Sequence, residues 1–351
     1  MSSVMVAMSG GVDSSVAAAI AVEEGHDVIG VTMKLWEGED GSLPTAGCCT
    51  VSDAEDARRV AAQLGIPYYV LDYSAAFRDG VVSRFLSDYA SGRTPNPCIE
   101  CNRTVKFTHL LDHASDLDCE LLYTGHYARN VRGPDGRRRL LRGVDRRKDQ
   151  SYVLSMLGAR QLDRVRFPVG SMTKTETREA AGDLGLRTAA KPDSQDICFV
   201  GTGDYRTFVG THAPETRAAG SVVTTTGEVV GTHDGIADFT VGQRRGLGVA
   251  VGARRYVTRI EPETSTVVIG SREDLEVREI DLSELSWVSG SPPADSRLDV
   301  QVRAHGAAVP AEIDGSSVRL DRPEHGVAPG QTASLYRGDE VLGGGIVTRA
   351  R

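Results

Sequence analysis

No stretch of the chain approaches the roughly 18 consecutive apolar residues that a membrane-crossing helix needs. A basic segment ahead of the first apolar stretch is missing too. Met1-Ser2-Ser3-Val4 leads straight into that stretch, which ends in Ser9-Gly10-Gly11-Val12-Asp13, not a signal-peptidase site. A cytoplasmic protein with no membrane partner is therefore expected. There is no basic excess: the formal net charge is −8, which excludes a protein basic all over but leaves a local nucleic-acid footprint open. The sequence also has no internal repeat and no long low-complexity tract. Cysteine is sparse, with six in all. In a reducing compartment Cys48, Cys49, Cys98, Cys101, Cys119 and Cys198 are not expected to serve as structural disulfides. Those beside Pro, Asn and Asp are expected to be catalytic or metal-binding.

What is present fits a globular protein of two or three domains: 351 residues, of which 40% are hydrophobic. Residues 1–200 alternate strand and helix signals. Short apolar runs at 4–8, 28–33, 68–71 and 120–124 read as buried strands. Helices are expected at 14–24, at 52–64 behind a Ser52-x-x-Glu55 capping box, at 75–91, and behind Thr173-x-x-Glu176. Such alternation implies an α/β fold with a parallel sheet covered on both faces. From Gly201 onward Gly, Thr and Val dominate, and short strands are expected near 221–223, 256–260 and 266–269. Beyond the break Ser289-Gly290-Ser291-Pro292-Pro293, further strands near 298–303, 317–320, 332–336 and 345–348 suggest a small β-barrel. The expected division is a catalytic domain at 1–200, a small, mostly β central domain at 201–283 and a C-terminal barrel at 284–351.

Ser9-Gly10-Gly11-Val12-Asp13-Ser14-Ser15 follows the first strand and opens the first helix. A Gly pair lets the backbone approach phosphate closely, and the N–H groups of a helix start cradle an anion. The motif is neither a Walker A loop nor the dinucleotide fingerprint. One segment, 129–148, is strongly basic, with Arg129, Arg132, Arg137, Arg138, Arg139, Arg142, Arg146, Arg147 and Lys148. It reads either as a solvated hairpin or as an RNA footprint.

The loop SGGVDSS resembles the PP-loop of ATP pyrophosphatases, in the adenine nucleotide alpha hydrolase-like group. Three other stretches narrow the likeness: Thr94-Pro95-Asn96-Pro97-Cys98-Ile99-Glu100-Cys101-Asn102, Lys148-Asp149-Gln150-Ser151-Tyr152, and Asp193-Ser194-Gln195-Asp196-Ile197-Cys198-Phe199. With Pro329-Gly330-Gln331 in the last domain, they resemble the tRNA-specific 2-thiouridylase family (MnmA/TrmU) over nearly the whole chain.

The resemblance implies an ATP- and Mg2+-dependent sulfurtransferase. It adenylates the 2-oxygen of the wobble uridine in tRNAs for Lys, Glu and Gln, and takes sulfur from a cysteine desulfurase or carrier. It implies that Cys198 carries a persulfide, that Cys101 is the nucleophile, and that a Cys101–Cys198 disulfide results. Ala7, Met8, Ser9, Gly10, Gly11, Val12, Asp13, Ser14, Met33 and Gly125 are implied for ATP. Asn96, Pro97, Cys98, His126, Lys148, Asp149, Gln150 and Gln331 are implied for tRNA, the first three against a flipped base.

Two departures stand out. Many members carry Asp where this chain has Cys98, and Arg-Tyr where it has Arg303-Ala304. Cys98-x-x-Cys101 leaves a second chemistry open, an iron–sulfur cluster on Cys98, Cys101 and Cys198, or a metal shared with Cys48-Cys49. A PP-loop ligase acting on a small metabolite would explain the loop but not the cysteines or the basic segment. A non-catalytic RNA-binding protein would give no thiolated product.

Overall fold

The computed structural model describes residues 1–38, 50–193, 197–200, 204–249 and 252–351. Strand β1 (Ser3–Ala7) buries Val4, Met5 and Val6 completely. A strand apolar on both faces needs helices on both sides. The chain then turns through residues 8–11 into helix α1 (Val12–Glu23), an Ala-rich and good helix former. It continues through β2 (Asp27–Lys34), helix α2 (Val51–Leu64), β3 (Tyr68–Asp72) and β4 (Leu121–Thr124). A hairpin follows, β5 (Ala128–Arg132) and β6 (Arg138–Arg142), and then the short β7 (Val165–Arg166). Five parallel strands form one sheet in the order β3-β2-β1-β4-β7.

Alternating residues of β1 feed two cores. Met5 joins Val31, Leu122, Phe85 and Phe107 on one face, and Val4 and Val6 join Val16, Ala18, Ala57 and Ala61 on the other. The cap of α2 lies two residues ahead of the expected Ser52 box. Thr50 Oγ1 accepts from Asp53 N at 3.1 Å, and Asp53 Oδ2 accepts from Thr50 N at 3.0 Å. The helix expected at 75–91 is continuous but contains a π-helical turn at Arg78–Val82. A second helical segment begins at Pro97–Glu100, turns π-helical over Cys101–His109 and ends at Leu110–Asp116. Such widened turns recur at functional sites.

The central domain holds β8 (Gly220–Thr224), β9 (Val229–His233), β10 (Tyr256–Glu261) and β11 (Thr266–Gly270) around Val222, Phe239, Val257 and Val267. The last domain comprises β12 (Glu276–Trp287), β13 (Arg297–Gln301), β14 (Val309–Asp314), β15 (Ser317–His325), β16 (Thr332–Arg337) and β17 (Glu340–Ala350). Their order, β12-β15-β14-β13-β16-β17, closes through β12–β17 into a six-stranded barrel. Because β12 pairs with β15 from Glu276 onward, a boundary at 283/284 would cut a barrel strand. The Ser/Pro break joins β12 to β13 instead. The basic hairpin extends the barrel sheet, with Glu340 opposite Leu141 and Val341 opposite Leu140. No helix among the described residues is long and apolar enough to cross a membrane.

Candidate active site

The sheet order reverses beside β1, and in open parallel sheets the crevice at the carboxyl ends of such strands takes the ligand. A cleft of about 570 Å³ opens there, within the range of small-molecule sites. Ala7, Met8, Ser9, Gly11, Val12, Asp13 and Ser14 line it, together with Met33, Gly125 and His126. The loop is tied to itself: Ser9 N donates to Ser14 Oγ at 3.1 Å, and Ser15 Oγ donates to Gly11 O at 2.8 Å. Two glycines permit its closeness to neighbours. A Cβ on Gly10 (φ +70°) would lie 2.1 Å from the Asp53 carbonyl oxygen, and one on Gly125 would lie 2.6 Å from Ser14 N. Gly10 itself therefore packs against α2 and is not among the lining residues.

Charge completes the cleft. Lys174 Nζ lies 2.8 and 2.9 Å from the two oxygens of Asp13, and Tyr127 donates to Asp13 Oδ1 at 2.7 Å. Lys174 also pairs with Asp193 at 2.8 Å, and Lys148 Nζ donates to Asp193 at 2.7 Å. Burial would raise the Asp193 carboxyl, but these two ammonium groups outweigh it and hold it at about 2. On the other side, Lys191 Nζ donates to Gly10 O at 3.0 Å and to Asp53 and Asp56 at 2.7 Å each. Burial, with Lys106 nearby, drives His126 well below the usual imidazole value, so it is neutral at pH 7. Its Nδ1 lies 2.7 Å from Thr124 Oγ1.

The Lys148-Asp149-Gln150 turn reaches the same cleft. Asp149 is largely occupied within the protein, by Arg142, Gly143 N and both the amide and hydroxyl of Ser151. Gln150 Oε1 accepts from Tyr127 N at 2.9 Å.

The cysteines themselves do not line the cleft, although Lys106 of the same helical segment does. Among the described residues lining the cleft, Asn96, Pro97, Cys98, Cys101, Cys198 and Gln331 are absent. Asn96 caps the helix by accepting from Cys98 N at 3.2 Å, and Pro97 occupies its first turn. Cys98 is exposed, whereas Cys101 is 6% exposed and belongs to a core that also holds Phe199. Cys198 packs against that core beside Phe199, whose ring contacts Trp36, Phe77, Phe85 and Phe208. Gln331 Nε2 donates to Thr94 O at 2.7 Å. Among the described residues, no three His, Cys, Asp or Glu side chains group to hold a metal. Cys98, Cys101 and Cys198 are thus not gathered as a metal-holding group among the described residues, Cys98 being exposed and Cys101 buried. Cys48, Cys49 and residues 194–196 lie outside the described residues.

Family models match three successive stretches: a tRNA methyl transferase HUP domain at residues 2–202, a tRNA methyl transferase PRC-barrel domain at 206–271, and an aminomethyltransferase β-barrel domain at 277–347. A tRNA-specific 2-thiouridylase MnmA of Chloroflexus aurantiacus is 48% identical over 99% of both chains. One from Herpetosiphon aurantiacus is 46% identical over 100% of this chain and 99% of its own. The chain belongs to the tRNA-specific 2-thiouridylase family. A solved 4-thiouridine synthetase–RNA complex with bound ATP overlaps 61% of this chain and 51% of its own at 16% identity and a TM-score of 0.37, too weak a likeness to bear on function.

Several residues at this thiouridylase cleft escaped the sequence reading: Lys106, Tyr127, Lys174, Lys191 and His305. Lys174 follows the Thr173 cap, so the box that starts its helix also aims an ammonium at the loop. Lys191 lies two residues ahead of Asp193, the first residue of the Cys198 motif, the one local signal that could have found it.

Proposed function

We propose that this chain is an ATP-dependent tRNA 2-thiouridylase that replaces the 2-oxygen of the wobble uridine with sulfur. The observation carrying this reading is the single cleft in which the anion-binding loop meets the Lys148-Asp149-Gln150 turn. ATP lies with its phosphates at the start of α1, where free N–H groups and the helix dipole favour an anion. Mg2+ would accompany it, with Asp13 and Asp193 among the carboxylates that line the cleft. Lys174 engages both oxygens of Asp13 and would have to release one for that carboxylate to hold a metal, which would supply charge neutralisation at the phosphates. Met33 and Gly125 border the base.

The uridine 2-oxygen attacks the α-phosphate and pyrophosphate leaves. The terminal sulfur of a Cys198 persulfide then attacks C2 and expels AMP. The Cys101 thiolate next attacks Cys198 Sγ and breaks the S–S bond, which releases the thiolated base and leaves a Cys101–Cys198 disulfide for a thiol reductant to open. Asn96, Pro97 and Cys98 lie against the flipped base, and His126, Lys148, Asp149, Gln150 and Gln331 serve the RNA. The C-terminal barrel binds tRNA behind a catalytic domain of residues 1–200 and a central domain. The substrates are tRNAs for Lys, Glu and Gln, the sulfur comes from a cysteine desulfurase or carrier, and the setting is cytoplasmic.

Mass spectrometry of tRNA nucleosides after incubation with ATP, Mg2+ and a sulfur source tests this. A 2-thiouridine product is expected. A methylated nucleoside, or pyrophosphate exchange driven by a free metabolite without RNA, would overturn it.

A further inference from the structure

Glu284 is one of three non-glycine residues at positive φ, +50°, among those described. A side chain held there is strained and persists only where surrounding contacts fix it. It sits in β12 where the pairing with β17 shifts register between Ser283 and Ser286. This bulge turns the Glu284 carboxylate out of the barrel and onto the first domain. Arg84 meets it with two bonds, at 2.5 and 3.1 Å, and Arg103 meets it at 2.9 Å.

The two arginines come from different helical segments and share a second carboxylate. Glu100 Oε2 accepts from Arg103 at 2.7 Å and lies 3.7 Å from Arg84. Glu100 is 4% exposed, and its other oxygen, Oε1, is buried without a hydrogen-bond partner. Such a group is stable only while its countercharges stay in place. Glu100 immediately precedes Cys101, and Arg103 follows two residues later. A second grip holds the other end of the same segment. Thr94 N donates to Pro329 O at 2.8 Å, Gln331 donates back to Thr94 O, and a Cβ on Gly330 would lie 2.8 Å from Thr94 N.

We propose that the barrel sets the position of Cys101, with Glu284 as the positioning residue. Two charges of each sign lock the first turn of the Cys101 helix to a strained bulge of another domain. The proposal rests on Cys101 acting in sulfur transfer as described above.

The test compares Glu284→Ala, Glu284→Gln and Glu284→Asp in the full chain. Three quantities are measured: thiolation under saturating tRNA, tRNA-dependent ATP–pyrophosphate exchange, and the rate of iodoacetamide alkylation at Cys101 resolved by peptide fragmentation. Glu284→Ala should lower thiolation kcat about tenfold, within what a displacement near 1 Å can cost. It should leave exchange and the KM for tRNA within about twofold, and Glu284→Asp should recover part of the loss. Cys101 alkylation should change in the same order. Arg103→Lys reads the same link if Glu284→Ala does not fold. Unchanged thiolation and alkylation would overturn the proposal, and so would exchange falling in step with thiolation. If the wild type makes no thiolated nucleoside while alkylation still follows Glu284, the function assigned above fails and the mechanical link stands.

Discussion

The nucleotide cradle is held from within its own domain, whereas the cysteine helix, though packed in that domain's core, is also held from outside it. Lys174 and Lys191 tie the loop to helices of the same sheet, and serine hydroxyls close it on itself. The segment bearing Cys98 and Cys101 is also gripped at Thr94 and Arg103 by a barrel that begins at Glu276. The difference follows from what each part does. A cradle for phosphate works best when its donors are fixed in advance, because no reorganisation is then needed during reaction. On the proposed mechanism the Cys101 thiol reaches a second cysteine and is then reset, and such a thiol gains from support that can be adjusted without disturbing the cradle.

The sharpest way to break this comparison is to remove each sulfur in turn. Cys101→Ser and Cys198→Ser should each lower thiolation by about 10³-fold or more, as losing a nucleophile does, while pyrophosphate exchange persists. Cys198→Ser should take up no labelled sulfur from a desulfurase, and Cys101→Ser should take it up without passing it on. Iron and acid-labile sulfide, assayed on anaerobically purified protein, should be substoichiometric. Stoichiometric iron lost equally from these two variants and from Cys98→Ser would mean the cysteines act as one cluster.

The converse substitution strikes the cradle. Gly10→Ala places a methyl against the Asp53 carbonyl at a φ that disfavours side chains. Exchange should fall on the order of 100-fold, the scale of a 1 Å misplacement, with Cys101 alkylation unchanged. If alkylation moved as well, the two regions would not be mechanically separate.

A smaller effect should appear in acid. Asp193 is held at about 2 against an ordinary 3.8. A depressed carboxylate contributes its full stabilisation above the unfolded value and loses it as pH falls through the folded one. Between pH 4 and 2 the wild type should lose up to about 2 kcal/mol that Asp193→Asn never had. Urea unfolding of both proteins across that range measures it, and parallel curves would remove Asp193 from the cradle's support.

The smallest change is expected at the hairpin. Arg137 is exposed, but Arg139 pairs with Asp135 and Glu340. Replacing Arg137, Arg138 and Arg139 with Gln should reduce the salt slope of tRNA binding by about one or two, fewer than the three charges removed. An unchanged slope would make the segment purely structural.

The same contrast explains what could be read from sequence. Buried strands such as residues 4–8, and the Gly pair that follows, declare themselves locally because periodicity and backbone demands are local. The α2 cap was misplaced by two residues because Thr50-x-x-Asp53 and Ser52-x-x-Glu55 overlap, and only the fold selects between them. Lys191 could not be assigned to Gly10 across 181 positions, nor Lys174 to Asp13 across 161. Several arginines of the basic segment found acids at the far end of the chain: Arg129 and Arg146 meet Asp339, and Arg139 meets Glu340. A dense run of like charge carries no mark distinguishing the arginines destined for such partners from those left to solvent.

That the hairpin at residues 128–142 completes its pairing only on β17 bears on how the protein is made. Arg139 meets Glu340 across 201 positions. At about 5–20 residues per second, the nascent chain carries an unsatisfied strand edge for on the order of ten seconds or more. Such an edge invites pairing with other chains, and charged side chains along it are a common defence. The arginines of β6 are thus placed to guard that edge until β17 arrives to cover it.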